Sequence, residues 1–170
     1  MTPGLRKFVL TAHITSSVGW LGAVAGFLAL AVAGLKSNDA QTVRAVYLAA
    51  EPLAWFVLVP LALTSLVIGV VNALGTSWGL FRHYWVLFKL VLTSLVTIIL
   101  LQYTRTVSHF AGTAAGTESV DLVGLWSYVL HASGGLVVLL ITTVLSVYKP
   151  QALTPYGRRK QRQERAARVP

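Results

Sequence analysis

The chain has 170 residues, of which 55% are hydrophobic and only 11% charged, and its formal net charge is +9. A soluble domain carries about 25% charged residues, so this composition argues against a protein surrounded by water on all sides. The chain has no cysteine, which excludes disulfides, thiolate metal sites, iron–sulfur clusters, covalently attached haem and cysteine nucleophiles.

Four long apolar runs follow one another along the chain, and each is long enough to cross a bilayer. They cover residues 8–35, 52–74, 84–103 and 122–148. A spanning helix needs about 20 apolar residues, because each residue rises about 1.5 Å through a hydrocarbon core about 30 Å thick. We therefore predict an all-α fold, a polytopic membrane protein whose four spans form an up-down bundle over residues 1–150, followed by a basic tail over 151–170.

The segments between the runs carry helix signals of their own. Asp39 is expected to cap a short helix in the first connection, and Pro52 is expected to lie in the first turn of the second span. Pro60, near the middle of that span, predicts a kink. Residues 106–121 are rich in Gly, Ala and Thr, which favours a flexible loop after the third span.

Basic residues gather at one end of the predicted bundle and so indicate its orientation. With four spans, both termini lie on the same side. That side holds ten basic residues, Arg6, Lys7, Arg82, Lys149, Arg158, Arg159, Lys160, Arg162, Arg165 and Arg168, against Lys36, Arg44 and Arg105 on the other. Lys and Arg collect on the cytoplasmic side, so we predict a bacterial plasma-membrane protein with both termini in the cytoplasm.

The basic tail next to the fourth span predicts a partner. A polybasic stretch at a membrane is attracted to anionic lipid by about 1 kcal/mol per charge. The tail lacks the interleaved aromatic side chains on which bases of single-stranded nucleic acid stack. We therefore predict anionic lipid headgroups as its partner and no nucleic acid.

Small residues mark the expected packing faces of the spans. Gly22 and Gly26 form a G-x-x-x-G pair in the first span, and such residues let helix backbones approach closely in lipid. In the fourth span His131 shares a helix face with Ser127, Gly134 and Gly135. We expect His131 to point into the bundle, where it would donate a hydrogen bond to another helix or serve a ligand or proton site.

Ionisable and polar residues at membrane depth fall into two layers when each is counted from the middle of its span. The inner polar layer, toward the cytoplasm, is His13, Asn72, Lys89, Thr142 and Thr143. The outer polar layer is Glu51, Gln102, Arg105 and His131. Residues of this type inside a span are rare and are functional candidates by default.

Each layer has two interpretations. In the outer layer, Glu51 and Arg105 either form an ion pair that joins the second span to the third or line a polar cavity open to the outside. In the inner layer, Lys89 either extends its ammonium group to the lipid headgroups or lies beside His13 in a proton or anion site.

Histidines in a membrane bundle also raise the question of b-type haem, whose iron is held by axial imidazoles. His13 and His131 are the cofactor-binding candidates, yet their heights differ by about 16 Å on a rise of 1.5 Å per residue. No pair of histidines matches in height, so we predict no cofactor; haem b on a single histidine stays the alternative. We predict no metal site, because His131 and Glu51 would supply only two ligands.

Short motifs resemble known membrane proteins. His13, Trp20 and Gly22 on an opening helix resemble small bacterial integral membrane proteins of unknown function and, more distantly, the copper-resistance D-like membrane family. Three later segments, 131–135, 146–150 and 154–160, resemble actinobacterial four-span proteins. The resemblance implies a plasma-membrane location and a four-helix bundle, and it implies no activity.

Signatures of catalysis are missing from the sequence, which has no G-x-S-x-G, P-loop or H-E-x-x-H motif. We therefore predict no catalytic residues and favour a non-enzymatic role, such as an accessory subunit that packs against a membrane partner or a second copy. A haem-binding or redox-linked protein that uses His13 or His131 is the alternative. A small proton- or ion-coupled transporter unit, built on the two polar layers, is the second alternative.

Overall fold

The computed structural model describes residues 2–75, 79–116, 122–150 and 152–167 of the chain. Its helices are α1 (Pro3–Leu35), α2 (Ala40–Leu53), α3 (Val59–Leu74), α4 (Tyr84–Ala115), α5 (Val123–Tyr148) and α6 (Pro155–Ala166), with a π-helical turn at Ala54–Leu58 between α2 and α3. Within these ranges, four helical segments are long and apolar enough to cross a membrane: α1, the continuous segment Ala40–Leu74, α4 and α5. The all-α, four-span prediction is confirmed.

The four spans form a closed ring in which each packs against the next. The segment Ala40–Leu74 lies between α1 and α4, and α5 closes the ring by packing against α4 and α1. Consecutive spans run in opposite directions. One end of the ring therefore carries the start of α1 and the end of α5, and we call it the terminal end. The opposite end, where α1 meets α2 and α4 leads to α5, is called the distal end.

The second span begins earlier than the sequence suggested. Asp39 is the predicted cap, and its carboxylate accepts hydrogen bonds from the backbone N–H groups of Gln41 at 3.2 Å and Thr42 at 3.0 Å. The helix that starts there continues through Pro52, which therefore lies inside it. Since Pro52 and Pro60 both lack a backbone donor, α-helical hydrogen bonding is weakened between them, and the π-helical turn occupies that stretch.

The third span also extends beyond its predicted end. Residues 106–115 continue α4, so the prediction of a loop from residue 106 is wrong for this stretch. Its buried Val107, Ala111 and Ala114 recur at helical spacing, and α4 packs against the second span. Alanine has the highest helix propensity, and small side chains let the two helices approach closely. The Arg44 guanidinium then donates to the carbonyl of Ala115 at 2.7 Å.

Aromatic side chains fill the distal half of the ring. The cluster consists of Phe27, Tyr47, Tyr103, Phe110 and Tyr128, one or two from each span. Tyr128 is 0% exposed, and its ring centroid lies 5.2 Å from that of Phe27 and 5.4 Å from that of Tyr47. Large apolar side chains also cover the outside of the ring, among them Phe56 and Leu130. Such an apolar exterior is the surface that a membrane-spanning bundle presents to lipid.

Candidate functional site

The terminal half of the ring holds most of the inner polar layer, and in it His13 of α1 packs on α3. The imidazole packs directly on Gly69 of α3, where a Cβ atom would lie only 2.9 Å from the His13 Cε1 atom. Any larger residue at position 69 would therefore displace the ring. The backbone of Ser65 lies beside the ring as well. Nδ1 of His13 is buried and, among the residues described, has no hydrogen-bond partner.

Hydroxyl groups connect the spans at this depth. The Ser17 and Ser65 hydroxyls are 2.7 Å apart and join α1 to α3. The Lys89 ammonium on α4 donates to the Ser146 hydroxyl on α5, and Ser146 in turn donates to the Thr142 carbonyl at 2.8 Å. All four spans therefore contribute polar side chains to the terminal half of the ring.

The remaining members of the predicted inner layer are Lys89, Asn72, Thr142 and Thr143. Lys89 lies within electrostatic range of His13 and donates to Ser146 of α5. Asn72 is half-buried on α3, three residues after Gly69. Thr142 is buried and Thr143 is exposed, and both hydroxyls donate within α5 to the Leu139 carbonyl.

The predicted outer polar layer is not assembled. Glu51 is half-buried, whereas Arg105 and Gln102 are exposed. Within the described ranges the salt bridge that forms is Arg82–Glu164, and Glu51 and Arg105 form none, so the predicted pair is wrong. The reason is register, because Trp55 donates to Ser108 at 3.1 Å. Glu51 lies on the distal side of that contact and Arg105 on its terminal side, which separates their backbones by roughly 10 Å along the bundle.

The prediction that His131 points into the bundle is also wrong. His131 is exposed and stacks on Tyr103, with ring centroids 3.8 Å apart and an interplanar angle of 16°. Its Nδ1 lies 2.9 Å from the Ser127 carbonyl. The buried face of α5 carries Tyr128 and Ala132 instead. The larger tyrosine ring fills the core, and the face with His131 turns outward to the groove between α4 and α5.

The two candidate haem ligands do not converge. His13 packs on α3 near the terminal end, whereas His131 stacks on Tyr103 of α4. Lys89, which interacts with His13, and Tyr103 are 14 residues apart, roughly 21 Å along α4 at 1.5 Å per residue. His13 and His131 therefore do not supply two imidazoles to one iron. In the same ranges, no three His, Asp or Glu side chains come together as a metal site.

The glycine pair of α1 has a different environment from the one expected. Gly22 and Gly26 are exposed, and a Cβ atom at either position would meet no atom within 4 Å. The face of α1 that packs inside the ring carries Trp20, Val24 and Phe27 instead. The G-x-x-x-G face is therefore directed away from the other spans.

A loop contact that the sequence did not predict lies at the terminal end. Residues 152–157 fold back on residues 81–84, and we call this paired segment the clamp. The Tyr84 N–H donates to the Ala152 carbonyl at 3.2 Å, and the Thr154 N–H donates to the Arg82 carbonyl at 3.1 Å. The Thr154 hydroxyl donates to the Phe81 carbonyl at 2.6 Å. The clamp thus fixes the start of α6 to the start of α4.

Helix α6 is docked on the same loop. Thr154 caps it by accepting from the Gly157 N–H at 3.0 Å. Gly157 is buried, and a Cβ atom there would lie 2.3 Å from the Arg82 carbonyl oxygen, so only glycine fits. Further along the helix, Glu164 accepts two hydrogen bonds from the Arg82 guanidinium, at 2.7 and 3.3 Å. Thr154-Pro155 is a recognisable start signal for a helix, but no local pattern identifies the loop on which that helix docks.

The basic residues of α6 remain on the surface. Those that are described and exposed are Arg158, Arg159, Lys160, Arg162 and Arg165. Arg168, the sixth basic residue of the predicted tail, lies outside the described residues. The docked helix therefore presents a concentration of positive charge at the terminal end.

Fold and surface together define a small multi-pass membrane protein: four apolar helices in a ring with apolar side chains on its outside. No family model matches the sequence, and no curated protein or solved structure is significantly similar to it.

Proposed function

We propose that this chain is a non-enzymatic, multi-pass protein of the bacterial plasma membrane that holds a basic helix, α6, against anionic lipid headgroups of the cytoplasmic leaflet. Its termini, and with them the terminal end of the ring, lie in the cytoplasm. The actinobacterial four-span proteins that the sequence motifs resemble are the group to which we assign it. The docking of α6 is the observation that carries this proposal.

The position of α6 follows from its two attachments. Helix α5 ends at Tyr148 and α6 begins at Pro155, so six residues separate α6 from a membrane span. Thr154, its cap, is bonded to Arg82, two residues before α4 begins at Tyr84. Because both attachments lie at the ends of spans, the first turn of α6 is held at the boundary of the bilayer.

Charge complementarity identifies the partner. The face of α6 that docks carries Gly157 and Glu164, and the exposed residues include five of its arginines and lysines. The cytoplasmic leaflet has a negative surface potential, and each basic residue near it contributes about 1 kcal/mol of attraction. A docked helix brings these charges to the headgroups without the loss of chain freedom that a disordered tail would suffer on binding.

The absence of cysteine from the sequence makes a direct test available. Gln163 is exposed on α6, and Gln163→Cys can carry the only thiol-linked fluorophore. In nanodiscs we expect quenching by spin-labelled lipid to rise when anionic lipid replaces zwitterionic lipid, and to fall again at high salt. A matched variant with Gln at all five basic positions should lose the response. Equal quenching in both lipids would contradict the proposal.

A second candidate function, an accessory subunit that assembles through α1, is favoured by the open glycine face. Around Gly22 and Gly26 the exposed neighbours Ala25 and Ala29 are also small, whereas the other spans expose large apolar residues. A second copy of this chain is the partner to test first, because the same face can pack against itself.

Disulfide cross-linking in the membrane tests that assembly. Gly22→Cys should give a covalent dimer on oxidation, and Val137→Cys on the exposed face of α5 is the matched control. Equal cross-linking at both positions would reject a specific α1 interface.

The redox alternative lacks support from the arrangement of the histidines, because His13 and His131 have separate environments. The ion-coupled alternative depends on the inner polar layer, to which His13 and Lys89 belong.

A further inference from the structure

His131 of α5 has an imidazole ring that is held in place on the outside of the bundle. Its Nδ1 lies 2.9 Å from the Ser127 carbonyl, one helical turn earlier. The ring stacks on Tyr103 of α4, with centroids 3.8 Å apart, and the Tyr103 and Ser127 hydroxyls are 2.7 Å apart. Contacts from two helices therefore fix the orientation of the imidazole.

The bond to Ser127 decides what the second nitrogen of this ring can do. A carbonyl oxygen only accepts hydrogen bonds, so Nδ1 of His131 carries the proton and donates it. In the uncharged imidazole, Nε2 then has a lone pair and accepts a hydrogen bond. Among the residues that the structure describes, the hydrogen bonds of His131 involve Nδ1 alone. Because His131 is exposed, a donor can reach Nε2 from outside the bundle.

The depth of His131 limits the kind of donor. Two exposed tryptophans mark the distal boundary of the bilayer, Trp126 on α5 and Trp55, which donates to Ser108 on α4. Trp126 is five residues from His131, and Ser108 is five residues from Tyr103, both toward the distal end. Five residues rise about 7.5 Å, so both counts place the imidazole inside the hydrocarbon region, where a charged headgroup would lose its water.

An apolar path leads away from this nitrogen along α5. Gly134 is exposed, and a Cβ atom there would meet nothing within 4 Å. A shallow groove of about 330 Å³ follows, lined by Val137, Leu140, Ile141, Val144 and Leu145. The helical spacing i, i+3, i+7, i+10 and i+14 places on one stripe His131, Gly134, Val138, Ile141 and Leu145. The groove extends from about 9 to about 21 Å from His131 at 1.5 Å per residue, a length that suits an apolar chain.

We propose that this stripe of α5 binds a neutral membrane lipid whose polar head is a hydroxyl group. The hydroxyl donates to Nε2 of His131, and the apolar chain passes over Gly134 into the groove. The site lies on the outer surface of the ring and shares no residue with α6, so it is independent of the proposed function.

Two classes of lipid have this chemistry, diacylglycerols and prenylated hydroquinones. Both dissolve in the apolar part of a bilayer, and both combine a hydroxyl donor with a long chain. Each also has a matched relative without the donor, since the methyl ether of a diacylglycerol and the oxidised quinone only accept hydrogen bonds. These pairs isolate the bond to His131 from the burial of the chain.

Competition against a photoreactive diacylglycerol measures binding to the full chain in phosphatidylcholine nanodiscs. We expect light to attach the probe within residues 137–145, which line the groove. Unlabelled diacylglycerol should displace the probe at a concentration about fivefold lower than its methyl ether does, the effect of one neutral hydrogen bond. Phosphatidylglycerol should displace the probe no better than the ether. Equal displacement by the alcohol and the ether would overturn the proposal.

Two variants locate the preference for the alcohol. His131→Leu removes the acceptor and should bind the alcohol and the ether alike, whereas His109→Leu, at an exposed histidine of α4, should keep the preference. Gly134→Leu fills the open space over the groove and should weaken both ligands. Gly22→Leu, at another glycine with open space around it, is its control. An unchanged preference in His131→Leu, or unchanged binding by Gly134→Leu, would contradict the site.

A prenylated hydroquinone in the same competition identifies the source of the hydroxyl. If it displaces the probe at a lower concentration than diacylglycerol does, the site takes hydroquinones; the opposite order assigns it to diacylglycerols. In either case the relative without the donor should be the weaker ligand. Failure of both hydroxyl lipids to displace the probe would overturn the proposal. Thermal unfolding of each variant confirms that a lost signal does not come from a misfolded protein.

Discussion

The two halves of the ring are filled by different kinds of side chain. In the distal half, aromatic rings from all four spans meet, and the one donor of Tyr128 is used by the Val107 carbonyl at 3.3 Å. In the terminal half, hydroxyls, a lysine and a histidine occupy the corresponding depth, and His13 retains a buried nitrogen without a partner in the described chain. Packing of aromatic rings holds the distal half together, whereas the terminal half retains a polar group with unused hydrogen-bonding capacity.

This difference suggests that the distal half holds the bundle together and the terminal half carries the proposed function. Interfaces in lipid have no hydrophobic drive and depend on close packing, which the aromatic cluster supplies at the distal end. The terminal end carries hydroxyl-bearing and ionisable side chains instead. Both the clamp and the inner polar layer lie at that end, so we associate the proposed function with it.

Truncating the aromatic cluster should have the largest effect. Tyr128→Ala is expected to lower the free energy of unfolding by about 3 kcal/mol, because it opens a cavity among four rings that cannot collapse. Tyr128→Phe keeps the ring and should cost about 1 kcal/mol, the value of one hydrogen bond. Thr142→Ala in the terminal half should cost about 1 kcal/mol or less, since Thr142 bonds only within its own helix. Unfolding in mixed detergent micelles measures all three, and equal losses would remove the distinction between the halves.

Disrupting the clamp should have the next largest effect, and it should be confined to the terminal end. Gly157→Ala places a Cβ atom against the Arg82 carbonyl, so α6 must leave the loop and lose its backbone and Arg82 contacts, together about 2 kcal/mol. Trypsin should then cut α6 faster, while the thermal unfolding of the ring changes little. Gly4→Ala, at a position with open space around it, is the control. Unchanged cleavage would show that α6 is not docked.

The cap of α2 should have the smallest effect. The Thr42 hydroxyl and the backbone N–H groups of Gln41 and Thr42 hold the pKa of Asp39 below its ordinary value. A carboxyl whose folded-state pKa is lowered stabilises the fold above its unfolded-state pKa and loses that contribution as the pH falls through the folded-state pKa. The melting temperature should therefore decrease slightly more between pH 7 and pH 3 for the parent than for Asp39→Asn. Parallel profiles would show that the cap does not contribute.

The spans could be predicted because about 20 apolar residues in a row leave few alternatives to a membrane helix. The end of α4 could not, since Ala and Gly with Thr suggest a loop, and only packing against the second span shows that residues 106–115 are helical. The sequence predicts that the α5 face with His131 is buried. The buried face carries Tyr128 and Ala132 instead, one residue further along and about 100° around the helix. Both faces fit the sequence, and the fit of Tyr128 among four other rings decides between them.

Distance along the chain explains the remaining differences. Glu51 and Arg105 have opposite charges and similar predicted depth, yet the register set by Trp55 and Ser108 separates them. The clamp joins residues 81–84 to residues 152–157, about 70 positions away, through backbone groups that every sequence possesses. His13 and Lys89 were placed together by their similar depth alone. The contact of His13 with Gly69 and the bond of Lys89 to Ser146 depend on how the spans pack, which the sequence does not show.

The orientation of the ring decides whether α6 faces anionic cytoplasmic lipid, and one measurement tests it directly. Asn38→Cys, before α2, and Gln163→Cys, on α6, are exposed single thiols at opposite ends of the ring in a chain that has no cysteine. In intact bacterial cells, a membrane-impermeant maleimide should label Asn38→Cys at once and label Gln163→Cys only after the membrane is permeabilised. The reverse pattern would place α6 outside the cytoplasm and contradict the account.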